Sequence, residues 1–288
     1  MSMTDTQKRG RTAGRRIIPA HLLMLLAWTG GCGSPAPKVR LFEWERGIGV
    51  ESLERPGMAM YLWFYEWNMF DAVRPGEHTH GEYSGFERSV SPDGRRAEVT
   101  SDDMTLTVRA VRDGAELQLV VTNRSEHDWP EPAGIIPCFN PGPPGQRNPA
   151  FANRNTFFVG PEGLVRQLQR EIHFNGELRE HIDALAHDGA FAFSFKWPTS
   201  PINATAGLLL RESGDGEWVT GIAWERFVSA QGHNPWECMH LCVRLGPLKR
   251  GESRTVRGMI YLFKGDRNDC LRRYQAGPYS TPAKGRIR

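Results

Sequence analysis

The chain has 288 residues, 39% of them hydrophobic and 24% charged, with a formal net charge of +3, a length that supports one substantial core or two small ones. The excess charge is local: Lys8, Arg9, Arg11, Arg15 and Arg16 face the single acid Asp5 within residues 1–31, a leader of +4, so the rest of the chain is close to −1. A nearly neutral body excludes the electrostatic footprint that a nucleic-acid binder needs.

The basic stretch is followed by an apolar run from Ile17 to Trp28 and then by Gly30-Gly31-Cys32, which is the order of an export signal spanning 1–31. The run is about twelve residues where a membrane-spanning helix needs roughly twenty, so a permanent span is the poorer reading. Thr29-Gly30-Gly31-Cys32 resembles the bacterial lipoprotein cleavage box, and that resemblance implies a lipid on Cys32 and an envelope location. Arg15-Arg16-Ile17-Ile18 resembles a twin-arginine signal, with the ordinary secretion route as the alternative. Residues 32–40, with Pro35 and Pro37, read as a tether, and 41–288 as one domain.

From there the pattern is period-two alternation. Met104 to Arg112 and Ala115 to Asn123 form a predicted hairpin joined by Asp113-Gly114, with Leu106, Val108 and Ala110 facing Leu117, Leu119 and Val121. Further strands are predicted over Tyr61 to Asn68, Ala97 to Ser101, Thr156 to Val159, Leu164 to His173, Ala190 to Trp197, Gly207 to Arg211, Trp218 to Phe227, Cys238 to Leu245 and Thr255 to Lys264. Leu178 to Ala186 and Asp266 to Tyr274 read as short helices, the second capped by Asp266. Many strands and few helices predict an all-β protein, a large antiparallel β-sandwich with one or two short helices.

The proline-rich segment Glu131 to Asn155 reads as a long irregular loop, pinned in places by Cys138, Phe139 and Phe151. Besides Cys32 the cysteines are Cys138, Cys238, Cys242 and Cys270, which an exported protein can oxidise in three pairings or keep as buried thiols. On an extended strand Cys238 and Cys242 would lie about 13 Å apart, too far for a bond between them.

Chemistry concentrates in two segments, Pro75 to Tyr83 and Gly232 to His240, which together hold four of the nine histidines. On a strand His78 and His80 share a face about 6.6 Å apart and can reach one ion, a divalent transition metal such as zinc. In Cys238 to Leu245 the apolar positions are Met239, Leu241, Val243 and Leu245, so His240 leaves the core side of its strand. The acid and base candidates are His80, His240, Glu82 and Glu225. Candidates for binding are His233, Trp236, and Trp63 and Trp67 of the aromatic stripe Tyr61-Trp63-Tyr65-Trp67, whose flat rings suit the apolar face of a sugar. The plainer alternative is a set of solvated or structural histidines and core aromatics.

The strand-rich body, the hairpin ending in Val121-Thr122-Asn123, and the late Trp224, His240 and Gly258 to Phe263 strands are similar to the galactose-mutarotase and polysaccharide-lyase kind of large β-sandwich. That likeness covers about two thirds of the chain and implies a saccharide ligand. The mutarotase histidine motif is absent, so no catalytic residue is carried across. The expected function is an exported carbohydrate-active protein working by acid–base chemistry, with or without a metal, of the epimerase, mutarotase or lyase type. The alternative is a non-catalytic glycan-binding or structural envelope lipoprotein. No nucleic-acid partner is expected, and contact with a membrane only through the lipid.

Overall fold

A computed structural model describes residues 35–63, 70–71, 86–143, 145–188 and 197–280. In chain order the strands are β1 (Val39–Trp44), β2 (Gly47–Ser52), β3 (Ala59–Trp63), β4 (Phe70–Asp71), β5 (Glu87–Val90), β6 (Arg96–Thr100), β7 (Met104–Val111), β8 (Gly114–Thr122), β9 (Gly134–Ile135) and β10 (Cys138–Asn140). They continue as β11 (Thr156–Gly160), β12 (Gly163–Arg166), β13 (Ile172–Phe174), β14 (Leu208–Glu212), β15 (Trp218–Trp224), β16 (Phe227–Gln231), β17 (Met239–Arg244) and β18 (Ser253–Lys264). Two helices complete the set, α1 (Arg179–Asp188) and α2 (Arg267–Ala276). Among the described residues no helix is long and apolar enough to cross a membrane.

The strands form two antiparallel sheets, so the protein is an all-β sandwich. The first sheet runs β1-β2-β3-β10-β17-β16-β13, with β9 pairing β17 and β4. The second runs β12-β11-β14-β15-β18-β8-β7-β6-β5. Alternation decides what each face buries. Ile48, Val50, Leu62, Phe139, Met239, Leu241 and Val243 of the first sheet share one core with Leu106, Val108, Leu117, Leu119, Ile222, Ile260 and Leu262 of the second. On the outer face of the second sheet Leu208, Leu210, Val219, Tyr261 and Phe263 pack with Cys270 and Tyr274 of α2. On the outer face of the first, Ile172, Phe174, Val228 and Cys242 pack with Ile182 of α1 and with Trp197. Strands buried on both faces weaken the alternation, which is why β14 to β16 carry apolar residues on both faces.

The hairpin forms with the predicted faces, Leu106 opposite Leu119 and Val108 opposite Leu117. Its tip is one residue earlier than expected: Val111 pairs with Gly114, leaving Arg112-Asp113 as the turn. Gly114 belongs to β8 because its φ is 148° and a Cβ there would come within 1.8 Å of the Ile260 carbonyl oxygen, a backbone approach only glycine allows.

Other expectations are corrected. Leu164 to His173 is two strands: β12 lies in the second sheet and β13 in the first, and the chain crosses between them with Leu168 exposed. Trp218 to Phe227 likewise divides at Glu225-Arg226 into β15 and β16, again in different sheets. The segment Glu131 to Asn155 is not wholly irregular, since β10 lies in the middle of the first sheet between β3 and β17. β1 begins at Val39, inside the stretch read as tether. Of Tyr61 to Asn68, β3 covers the start and 64–69 lie outside the described residues, as do 189–196 of the predicted Ala190 to Trp197 strand.

Asp266 caps α2 in a capping box: its Oδ1 accepts from the Asp269 backbone N–H at 2.8 Å, and its own N–H donates to the Asp269 carboxylate at 3.1 Å. Asp266→Ala removes the first of these and is expected to cost about 1 kcal/mol. Chemical denaturation of the purified domain measures it, and a loss under a few tenths would show that the cap contributes nothing.

Candidate functional site

Cross-strand register builds the site on the outer face of the first sheet. Trp63 pairs with Cys138, Cys138 with His240, His240 with Gln231, and Gln231 with Ile172. Residues directly opposite in a sheet put their side chains side by side, so the thiol of Cys138 and the imidazole of His240 are neighbours. Cys238, two positions before His240, reaches the same place: the Sγ atoms of Cys138 and Cys238 and a ring nitrogen of His240 all lie within 4.8 Å of one another. The three are buried, with exposures of 0%, 4% and 7%. The Asn140 amide nitrogen lies 2.9 Å from the Cys138 sulfur.

A stacked column stands over this floor. The His240 ring lies parallel to Trp197, centroids 5.7 Å apart at 17°. The Arg170 guanidinium is 4.9 Å from the Trp197 ring and 4.9 Å from that of Trp236, a cation held between two aromatic faces. Trp236 ends the column 56% exposed, among the few large hydrophobic side chains at the surface.

Trp236 is carried by the loop His233-Asn234-Pro235-Trp236-Glu237, whose backbone is unusual at both ends. His233 has φ 52° and Glu237 φ 58°, the left-handed region that costs a non-glycine residue about 1–2 kcal/mol. Asn234 holds the loop against that cost. Its Oδ1 accepts from the N–H groups of Trp236 at 3.1 Å and Cys238 at 3.2 Å, and its amide donates to the Cys238 carbonyl at 2.7 Å. Asn153 donates to the Asn234 carbonyl at 2.7 Å. Gly232 precedes the loop because the Gln167 side chain lies over it, 2.2 Å from where a Cβ would be.

Two arginines, one buried and one partly so, fasten the loop to the rest. Arg211 of β14, fully buried, donates to Thr156 Oγ1 at 2.8 Å, to Asn153 Oδ1 at 3.1 Å and to the Glu237 carbonyl at 3.1 Å. Burial pushes its guanidinium down to about 10, with Glu237 and Cys238 opposing the shift. Arg147 donates to the Trp236 carbonyl at 3.2 and 2.9 Å, and to that of Gly142. Burial lowers its guanidinium too, while Cys238, Cys138 and Glu237 pull it back up, so positive charge lies within electrostatic reach of both thiols.

The sequence candidates distribute unevenly. The structure brings His240 and Trp236 to the two ends of one column, and His233 begins the loop that carries Trp236. Glu225 is elsewhere: it accepts from the Arg257 N–H at 2.8 Å, beyond the Phe227 end of β16, while His240 faces the Gln231 end about 13 Å further along at 3.3 Å per residue. Trp63 is placed by its backbone opposite Cys138. Tyr61 packs edge-on against Phe42 and Trp44, at 5.4 and 5.2 Å. His78, His80, Glu82, Trp67 and Cys32 lie outside the described residues. Sequence reasoning missed Cys138, Arg147, Arg170, Trp197 and Arg211. Trp197 and Arg170 carry no local signal, because their partners are far along the chain.

His173 on β13 stacks on Phe158 at 4.0 Å, and its Nδ1 is 2.9 Å from the Ile202 carbonyl oxygen. Burial, the larger influence, pushes its pKa below 6.5 despite that hydrogen bond. The unfolded chain therefore binds a proton more readily, and stability is lost as pH falls from 6.5 through the lower native value. His173→Gln should flatten that part of a stability–pH profile, measured by thermal unfolding between about pH 5 and 7. An unchanged slope would assign the pH dependence to other groups.

A second cleft, of about 630 Å³, is lined by Lys38, Arg55, Asp113, Asp215, Glu217 and Lys264 among others. Its charges are largely cancelled by the pairs Lys38–Glu54, Arg55–Asp215, Lys264–Glu217 and Arg273–Asp113, leaving little field to select a charged ligand.

No protein-family model matches the chain, and no curated protein matches it. Among solved structures it is similar to a putative aldose 1-epimerase from Escherichia coli K12 (10% identity, 80% of this chain and 100% of that one, TM-score 0.37). It is also similar to a galactose mutarotase-like protein from Lactobacillus casei (12% identity, 78% and 100%, TM-score 0.37). A third likeness is to a polysaccharide lyase (11% identity, 84% of this chain and 35% of that one, TM-score 0.40). These are the kinds of protein that the sequence pattern resembles. At such identities and scores no residue is transferred from them.

Proposed function

We propose that this is an exported carbohydrate-active protein that binds a saccharide on the outer face of its first sheet, against the exposed Trp236. The observation that carries the reading is the column Trp236–Arg170–Trp197–His240 standing on a buried polar floor. A tryptophan held flat by a cation offers an apolar ring face to a pyranose. Arg170 gives hydrogen-bond donors for the sugar's hydroxyl edge. The expected reaction class is epimerase, mutarotase or lyase chemistry, for which, while His240 lies beneath Trp197 in the floor, His233, on the loop that carries Trp236, is the proton-moving candidate. Its support is the strained His233–Glu237 loop, since backbone held in sparsely populated conformations collects at working sites.

A second reading is a glycan-binding envelope protein without turnover. It is favoured by the position of Glu225, an acid candidate that the structure keeps away from His240. Export and a lipid on Cys32 complete both readings. Loss of the protein from the membrane fraction in Cys32→Ala would support the anchor, and unchanged fractionation would remove it.

The test is a saccharide panel read by thermal shift on the mature protein. A sugar that raises the melting temperature should bind about tenfold more weakly to Trp236→Ala, a loss of about 1.4 kcal/mol. Exchange of anomers or epimers followed by NMR, or appearance of the unsaturated product of a lyase, then separates turnover from binding. If no saccharide shifts the melting temperature, the carbohydrate reading fails.

A further inference from the structure

We propose that Cys138, Cys238 and His240 form a site for one divalent metal ion of the zinc class, held by two thiolates and one imidazole. Its three ligands are other residues than the His78 and His80 suggested by sequence, which lie outside the described residues, and it stands whether or not the outer face takes a sugar.

Geometry comes first. A tetrahedral zinc with Zn–S of about 2.3 Å and Zn–N of about 2.0–2.1 Å needs ligand atoms roughly 3.5–3.8 Å apart. The three atoms are already within 4.8 Å of one another, so small side-chain rotations close the remainder. The placement is rigid. Cys138 and His240 are direct partners across β10 and β17, and Cys238 is fixed by Asn234 through both its N–H and its carbonyl. A ligand set carried by strands and a braced turn keeps its shape better than one on loops.

The chemistry agrees. Two sulfurs and an imidazole select zinc or a similar soft-to-borderline ion, whereas calcium and magnesium take oxygen. Burying two thiolates is costly unless they are neutralised, and a divalent cation matches their charge. The Asn140 amide nitrogen, 2.9 Å from the Cys138 sulfur, is placed to support the ligand from behind, as partners of metal ligands do. Arg147 lies within electrostatic reach of both sulfurs, and positive neighbours favour the thiolate that ligates. Among the described residues no fourth His, Cys, Asp or Glu joins the cluster. Three ligands leave one further position of the tetrahedron to be filled.

The competing fate of Cys138 and Cys238 is a disulfide, open to an exported protein and incompatible with ligation. Metal content of the mature protein, purified without chelator, should be one zinc per chain. Cobalt replacing it should give the intense near-ultraviolet band of thiolate-to-cobalt charge transfer. Removal by chelator should lower the melting temperature, and zinc should restore it. Cys138→Ser, Cys238→Ser and His240→Gln should each abolish stoichiometric binding, Cys242→Ala should keep it, and Asn140→Ala should weaken it about 10–100-fold. Should a variant not fold, the wild-type measurements decide alone. Absence of both zinc and a cobalt thiolate band, or a Cys138–Cys238 disulfide in non-reduced peptide maps of the exported protein, overturns the proposal.

Discussion

Arg211→Met is expected to lower the stability of the domain by about 3–5 kcal/mol, seen as a fall of roughly 10 °C or more in melting temperature. Methionine matches the aliphatic stem, so the loss isolates the guanidinium. Two effects compete. Removing a buried charge relieves its desolvation, which here is large enough to push the group down to about 10. Against that, three acceptors lose their donor together: Thr156 Oγ1, Asn153 Oδ1 and the Glu237 carbonyl. Thr156 Oγ1 is buried and the other two acceptors are partly so; an acceptor left unpaired at full burial costs about 1–3 kcal/mol, so the second effect wins. Arg211→Lys keeps the charge but cannot reach three points with a single ammonium, and should fall between the two. Because Arg211 links β14 of one sheet to the loop entering β17 of the other, amide exchange at 234–238 should quicken in Arg211→Met. A loss below about 1 kcal/mol would mean that desolvation relief cancels the bonds.

The same residues show what a sequence can disclose. Hairpin β7–β8 was legible because its information is local: alternation over adjacent segments and a turn signal between them. The outward direction of His240 was legible for the same reason, since Met239, Leu241 and Val243 declare the core side. Strands that cross from one sheet to the other were not, because β15 and β16 are buried on both faces and so lack the alternation that would mark where one ends, with only Glu225-Arg226 between them. β10 was hidden by the prolines on either side, Pro137 and Pro141, and by its length of three residues. With it was hidden the partnership of Cys138 and His240, which depends on register between segments about a hundred positions apart. Arg211 looked like a strand-end charge, and only the loop above it explains its burial. Composition located the second histidine segment, yet the cluster that forms there draws one of its three side chains, Cys138, from a stretch that reads as loop.

Asn234→Ala tests that cluster and the saccharide face together, and should cost about 2–4 kcal/mol of stability. The alanine removes three hydrogen bonds, those to the Trp236 and Cys238 N–H groups and to the Cys238 carbonyl, at a residue that is only 2% exposed. It also frees a loop that carries left-handed backbone at both ends, so the lost bonds are the ones opposing strain. Asn234→Asp is the informative companion. The aspartate keeps an acceptor for the two N–H groups but turns an oxygen toward the Cys238 carbonyl, where the amide had donated. Repulsion there should make it no better than alanine, although the side chains are nearly the same size. Both variants, examined below their melting temperatures, should lose zinc affinity and saccharide affinity in parallel, because one turn positions both Cys238 and Trp236. Should zinc binding survive in a folded Asn234→Ala while saccharide binding falls, the ligand geometry is set by the strand pair β10–β17 and not by the turn.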